Sequence, residues 1–154
     1  MRTPASIAGH PIHPMLVPIP IGLWIFALVC DLVHVFGSGD PVWRVVAFFA
    51  IIGGIIGALA AALPGLVDLL SLPSGIKRTG VTHMAINLTV VALFAINAWL
   101  RAGRAVDERV ALSDWTVLLS IAGVALLVVS GWLGGKMVYE AGVGVNVDEI
   151  APRR

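Results

Sequence analysis

The sequence predicts an all-α integral membrane protein, a four-transmembrane-helix antiparallel bundle, and three observations carry that prediction. Hydrophobic residues make up 58% of the 154-residue chain and charged residues 12%, against roughly 25% charged in an average soluble domain. Four apolar stretches each have the length needed to cross a hydrocarbon core of about 30 Å, which takes about 20 helical residues. Turn-forming or charged segments separate them. One membrane domain, 1–154, accounts for the whole length.

The first span is placed at 15–35. Pro18 and Pro20 lie inside it and must either bend its first turn or delay its start. Asp31 and His34 are one turn apart near its end and are expected to form a local interfacial pair. The run Gly37-Ser38-Gly39-Asp40-Pro41 turns the chain into a second span at 42–63, which is expected to stop at Pro64-Gly65. Gly53 and Gly57, four apart, permit close helix contact there. Pro73-Ser74-Gly75 leads to a third span at 81–100, and the charged stretch 101–114 leads to a fourth at 115–133, expected to stop at Gly134-Gly135. Gly123, Gly131 and Gly134 are further candidates for close packing. The tryptophans, Trp24, Trp43, Trp99, Trp115 and Trp132, mostly fall near span ends and read as an interfacial belt.

The N-terminus lacks a small-residue cleavage site after its first apolar run, so that run is read as a retained span and not a signal peptide. The single cysteine, Cys30, excludes an internal disulfide and any thiolate-held zinc or iron–sulfur cluster, and is expected to be a packing residue. A net charge of +1 gives no reason to expect nucleic acid. An even number of spans puts both termini on one face, with Arg2, Lys77, Arg78, Lys136, Arg153 and Arg154, while Arg44, Arg101, Arg104 and Arg109 lie on the other. That asymmetry favours cytoplasmic termini in a bacterial inner membrane. The chain has no nucleophile-elbow, His-Glu-x-x-His or phosphate-loop motif, and Gly142-Val-Gly144 reads as a turn.

The polar residues of the terminal face carry the functional expectation. His10 and His13 each precede a proline, which biases them towards polyproline geometry, and side chains three apart then project the same way. The topology returns Asp68 to that face at the end of span two, and His83 opens span three there with Asn87 one turn further on. Tyr139 and Glu140 arrive with the end of span four. Two opposed histidines, His83 with His13 or His10, would ligate a haem b in an electron-transfer subunit, with a redox partner protein or quinone as its counterpart. A second reading places a divalent metal, Zn, Fe or Cu, on His10, His13, Asp68 and His83, with Asn87, Tyr139 and Glu140 orienting the ligands. A third has no cofactor: the same groups lock helix ends in a structural or partner-binding membrane module, alone or as a homo-oligomer in the lipid bilayer. Each hairpin also opens on a histidine and closes on a glycine followed by an acid, Gly65 to Asp68 and Gly135 to Glu140, a faint sign of two hairpins about a pseudo-twofold axis along the membrane normal.

Several of these residues carry a family resemblance. They are His10-Pro-Ile-His13-Pro-Met-Leu-Val-Pro, Asp31, Gly65-x-x-Asp68, His83-x-x-x-Asn87 and the closing Gly134-Gly135-Lys-Met-Val-Tyr-Glu-Ala-Gly-Val-Gly-Val145. Over about 9–147 the chain resembles the bacterial membrane family filed as domain of unknown function 2231. The resemblance implies a four-helix membrane protein without an established activity. Some relatives carry a fused Rieske-type iron–sulfur domain, which by analogy points towards membrane electron transfer.

Overall fold

The computed structural model describes residues 3–37, 39–104 and 114–145. The connection at 105–113 and the charges counted above at Arg2, Arg109, Arg153 and Arg154 lie outside the described residues. A two-stranded antiparallel ribbon, β1 (Ser6–Ile7) and β2 (His10–Pro11), precedes the helices. Ile7 pairs with His10, so Ala8 and Gly9 form a two-residue turn, and both have positive φ, 49° and 80°, as a type I′ hairpin requires. The helices are α1 (Ile12–Leu16), α2 (Pro18–Phe36), α3 (Val42–Ser71), α4 (Ser74–Arg101) and α5 (Asp114–Tyr139). With α1 and α2 counted as one span, four helices are long and apolar enough to cross a membrane.

The elements depart from the sequence expectation at their ends. His13 is helical, not polyproline, although Pro14 follows it. Pro14 falls in the first turn of α1, where its missing N–H has no intrahelical partner to lose. Pro18 then begins α2, and the single non-helical residue Val17 separates the two segments. The first span therefore starts before Met15. Helix α3 does not stop at Pro64-Gly65 but continues to Ser71 with Pro64 inside it, and α5 runs past Gly134-Gly135 to Tyr139. A helix in lipid must keep its backbone groups satisfied within the segment, so glycine and proline end it less readily than they do in water.

Helices α2 and α3 pack as one hairpin, α4 and α5 as a second, and the hairpins meet through α3 against α4 and α2 against α5. A recurring spacing relates the two. Asp31 and Arg101, which bond to each other, are 70 residues apart. The same step separates Trp24 from Phe94, whose rings stack at 4.4 Å between centroids and 6° between planes. It also separates His13 from His83, whose ring centroids lie 6.4 Å apart. A step shorter by one relates α3 to α5. Trp24 lies over Gly54 as Phe94 lies over Gly123, and His13 reaches the Ala61 carbonyl as His83 reaches that of Ser130. Equivalent residues meeting each other in pairs define a pseudo-twofold axis between the hairpins. Gly65, under His13, thus corresponds to Gly134 and not to Gly135.

The core lies along this axis and includes Trp24, Ala27, Cys30, Ala47, Ile51, Val90 and Phe94. Cys30 is the packing residue expected of it. Trp24 is no belt residue: it is 2% exposed, and its indole N–H donates to the Ile51 carbonyl at 3.2 Å. Trp99, Trp115 and Trp132 are exposed on the bundle surface. Gly54 admits Trp24, since a Cβ there would collide with the indole. Gly53 and Gly57 likewise lie against Leu23 and Ile19, whereas a Cβ at Gly131 would meet nothing within 4 Å.

Candidate functional site: a paired-histidine face and a buried ion pair

Two polar clusters sit on the pseudo-twofold axis. The first lies on the terminal face and joins residues from α1, α3, α4 and α5. His13 is held by a hydrogen bond between Nδ1 and the Ala61 carbonyl of α3, at 2.8 Å. Pro64, inside α3 just before Gly65, lacks the N–H that would bond the carbonyl of Ala60. The ring lies flat enough on the helix that a Cβ at Gly65 would stand 2.7 Å from Nδ1. His83 repeats the arrangement, with Nδ1 3.0 Å from the Ser130 carbonyl of α5 and Gly134 beneath its ring. A ring nitrogen facing a carbonyl must carry the proton, so both histidines are assigned as Nδ1–H tautomers with a lone pair on Nε2. The two planes are 88° apart.

Asn87 joins His83 from one turn along α4. Its amide nitrogen lies 3.1 Å from His83 Nε2, 2.8 Å from the His83 carbonyl and 2.6 Å from Ser130 Oγ. Two amide hydrogens thus serve three acceptors. The Ser130 hydroxyl is also 3.0 Å from His83 Nδ1.

The other expected site residues stand elsewhere. His10 is exposed on the ribbon, with Nδ1 3.1 Å from the carbonyl of Ala8. Asp68 is nearly buried, but its Oδ1 accepts the backbone N–H of Ala5 at 3.0 Å, which ties the N-terminal segment to the end of α3. Tyr139 is 91% exposed, and Glu140 faces Lys136 at 3.7 Å. Among the described residues no three His, Cys, Asp or Glu side chains group as a metal site. The fold brings together His13, His83 and Asn87, and adds Ser130.

The second cluster was missed by sequence reasoning. Asp31 does not pair with His34, whose Nδ1 instead meets the Asp40 carbonyl at 3.1 Å. Asp31 accepts two parallel bonds from the Arg101 guanidinium, both at 2.7 Å, with both side chains 0% exposed. Arg101 Nε donates to Asn97 Oδ1 at 2.7 Å. The Asn97 amide donates to the Thr116 carbonyl and to Ser120 Oγ, each at 2.9 Å. The Ser120 hydroxyl lies 3.1 Å from Asp31 Oδ2. The sequence counts Arg101 among the aqueous charges of the far face; the structure buries it. The available signal was the spacing: Asn97 and Arg101 are one turn apart on α4, and a 70-residue step takes Arg101 back to Asp31. A buried bidentate pair, with Arg101 Nε further held by Asn97, locks hairpin to hairpin.

The family model described as "Predicted membrane protein (DUF2231)" matches residues 9–147. No curated protein and no solved structure matches the chain.

Proposed function

The chain belongs to the DUF2231 family of membrane proteins, and from that premise we propose that it is a membrane electron-transfer subunit whose working group is a haem b held between His13 and His83. One observation carries this reading. Both imidazoles are anchored through Nδ1 to a main-chain carbonyl of the neighbouring helix, the arrangement that orients a metal-bound histidine and keeps the Nε2 lone pair for the ligand bond. His13 and His83, with ring centroids 6.4 Å apart, would be the residues to hold such a group. Haem requires only two protein ligands, so neither His10 nor Asp68 is needed. The rings meet where the two hairpins face each other, which is where a planar group could be inserted without breaking either hairpin. A haem there supplies one-electron chemistry. The protein supplies the ligands and the apolar surroundings, and a quinone or a redox partner protein would exchange the electron at the terminal face, read as cytoplasmic.

A divalent metal, Zn, Fe or Cu, on the same two nitrogens is the second reading. The close packing of His13 against Gly65 favours it, because a small ion needs less room than a macrocycle. The test is an absorption spectrum and a metal analysis of protein purified after expression with a haem supply. The haem reading expects a Soret band that is lost in both His13→Ala and His83→Ala. Stoichiometric metal without a Soret band, lost in the same variants, selects the second reading. Neither signal in well-folded protein overturns both.

A further inference from the structure

The pseudo-twofold axis makes the two histidines equivalent in position but not in surroundings. The step that carries His83 to His13 carries Asn87 to Val17, and the step that carries Gly134 to Gly65 carries Ser130 to Ala61. The hydrogen-bonding groups around His83 are therefore replaced by apolar ones around His13. His83 Nε2 faces the Asn87 amide at 3.1 Å, an amide further held by the Ser130 hydroxyl. The bond at Nδ1 is shared by both histidines, so the difference is confined to Nε2, the atom that would bind a metal.

We propose that Asn87 is a positioning residue that reversibly occupies His83 Nε2, so that His13 takes an incoming metal centre first and His83 closes on it after the amide has turned away. The inference rests on the reading of the pair as a ligand site. Its chemical basis is competition for one lone pair: an amide N–H bonded to Nε2 must leave before a metal ion can use that nitrogen, and the apparent affinity falls by the cost of breaking the bond. The cap has a use in the ligand-free protein. Neutral Nε2 is a half-buried acceptor that would otherwise lack a partner, and an unmet acceptor is costly away from water. Asn87 satisfies it and keeps the ring in the orientation set by Ser130. Asn87 thus sets both the affinity of the site and the order in which its ligands engage.

The experiment compares wild type, Asn87→Val and Ser130→Ala as full chains in detergent, titrated separately with haemin and with Zn²⁺. Asn87→Val gives the second half-site the residue found in the first, and Ser130→Ala copies Ala61 and only loosens the amide. Loss of a typical hydrogen bond corresponds to roughly three- to tenfold tighter binding, expected for Asn87→Val, with a smaller gain for Ser130→Ala. His13→Ala should abolish binding in every background. A purely structural Asn87 would lower stability and leave affinity unchanged or weaker, and that result overturns the proposal. If neither probe binds wild type or variants, the ligand reading itself has failed. Nitrogen shifts of labelled histidine then still report whether Asn87→Val alters His83 Nε2, which separates a real but purely structural bond from no bond at all.

Discussion

Asp31→Ala should be among the most damaging single substitutions in the protein. It removes the acceptor of two guanidinium bonds at 2.7 Å and leaves Arg101, itself 0% exposed, with its terminal nitrogens unpaired. Breaking one side of a buried pair costs about 3–5 kcal/mol. The Ser120 hydroxyl loses one acceptor but keeps the Thr116 carbonyl at 3.2 Å, so it adds little to that loss. Arg101→Met should cost a comparable amount, because it strands the carboxylate. The double variant Asp31→Ala/Arg101→Met carries no buried charge and should lie within about 2 kcal/mol of wild type. The two sites are thus expected to be coupled by at least about 3 kcal/mol. The assay is reversible unfolding in mixed detergent micelles, followed by helical circular dichroism. A single-variant loss below about 1 kcal/mol would refute the reasoning, as would a double variant whose loss equals the sum of the singles. Either result would mean that water reaches the pair and solvates the abandoned partner.

Two further substitutions test the axis and the terminal face. Gly54→Ala drives a methyl group into the Trp24 indole and should destabilise the bundle by about 1–3 kcal/mol with a change in tryptophan fluorescence. Gly131→Ala, where a Cβ meets nothing, should be close to neutral in the same measurement. Asp68→Ala removes the acceptor for the Ala5 N–H and should raise amide exchange across the N-terminal ribbon while leaving haemin and Zn²⁺ affinity unchanged. Lost metal affinity in that variant would return Asp68 to the ligand set.

The number and order of spans were legible because length and hydropathy suffice to define a membrane helix. Their ends were not, because proline and glycine carry a terminator meaning learned from water. Pro64 sits inside α3, where lipid gives the chain no other place for its backbone hydrogen bonds. His83 and Asn87 could be paired from their four-residue spacing, and the structure joins them. The sequence misplaces His10 with respect to His13 because His10 lies in strand β2 and His13 in helix α1, so that the two do not share one polyproline register. Arg101 was misread for a deeper reason. Its partner is in the other hairpin, and hydropathy does not distinguish a cation that ends a span in water from one that meets a carboxylate across the bundle.

The axis itself constrains what its residues can do. Twofold-related positions face each other, so identical residues there set like against like. Two aspartates or two arginines facing each other in a dry core would repel strongly, and that position holds Asp31 opposite Arg101, which attract. The central position holds Trp24 opposite Phe94, each with its glycine beneath it. Among the described residues, only His13 and His83 form an axial pair of identical ionisable groups. Both rings are anchored from behind by carbonyls of the neighbouring helices, which is the feature the proposed sharing of one ligand between them rests on. On the proposed reading the histidines carry the ligand, while the buried ion pair joins hairpin to hairpin.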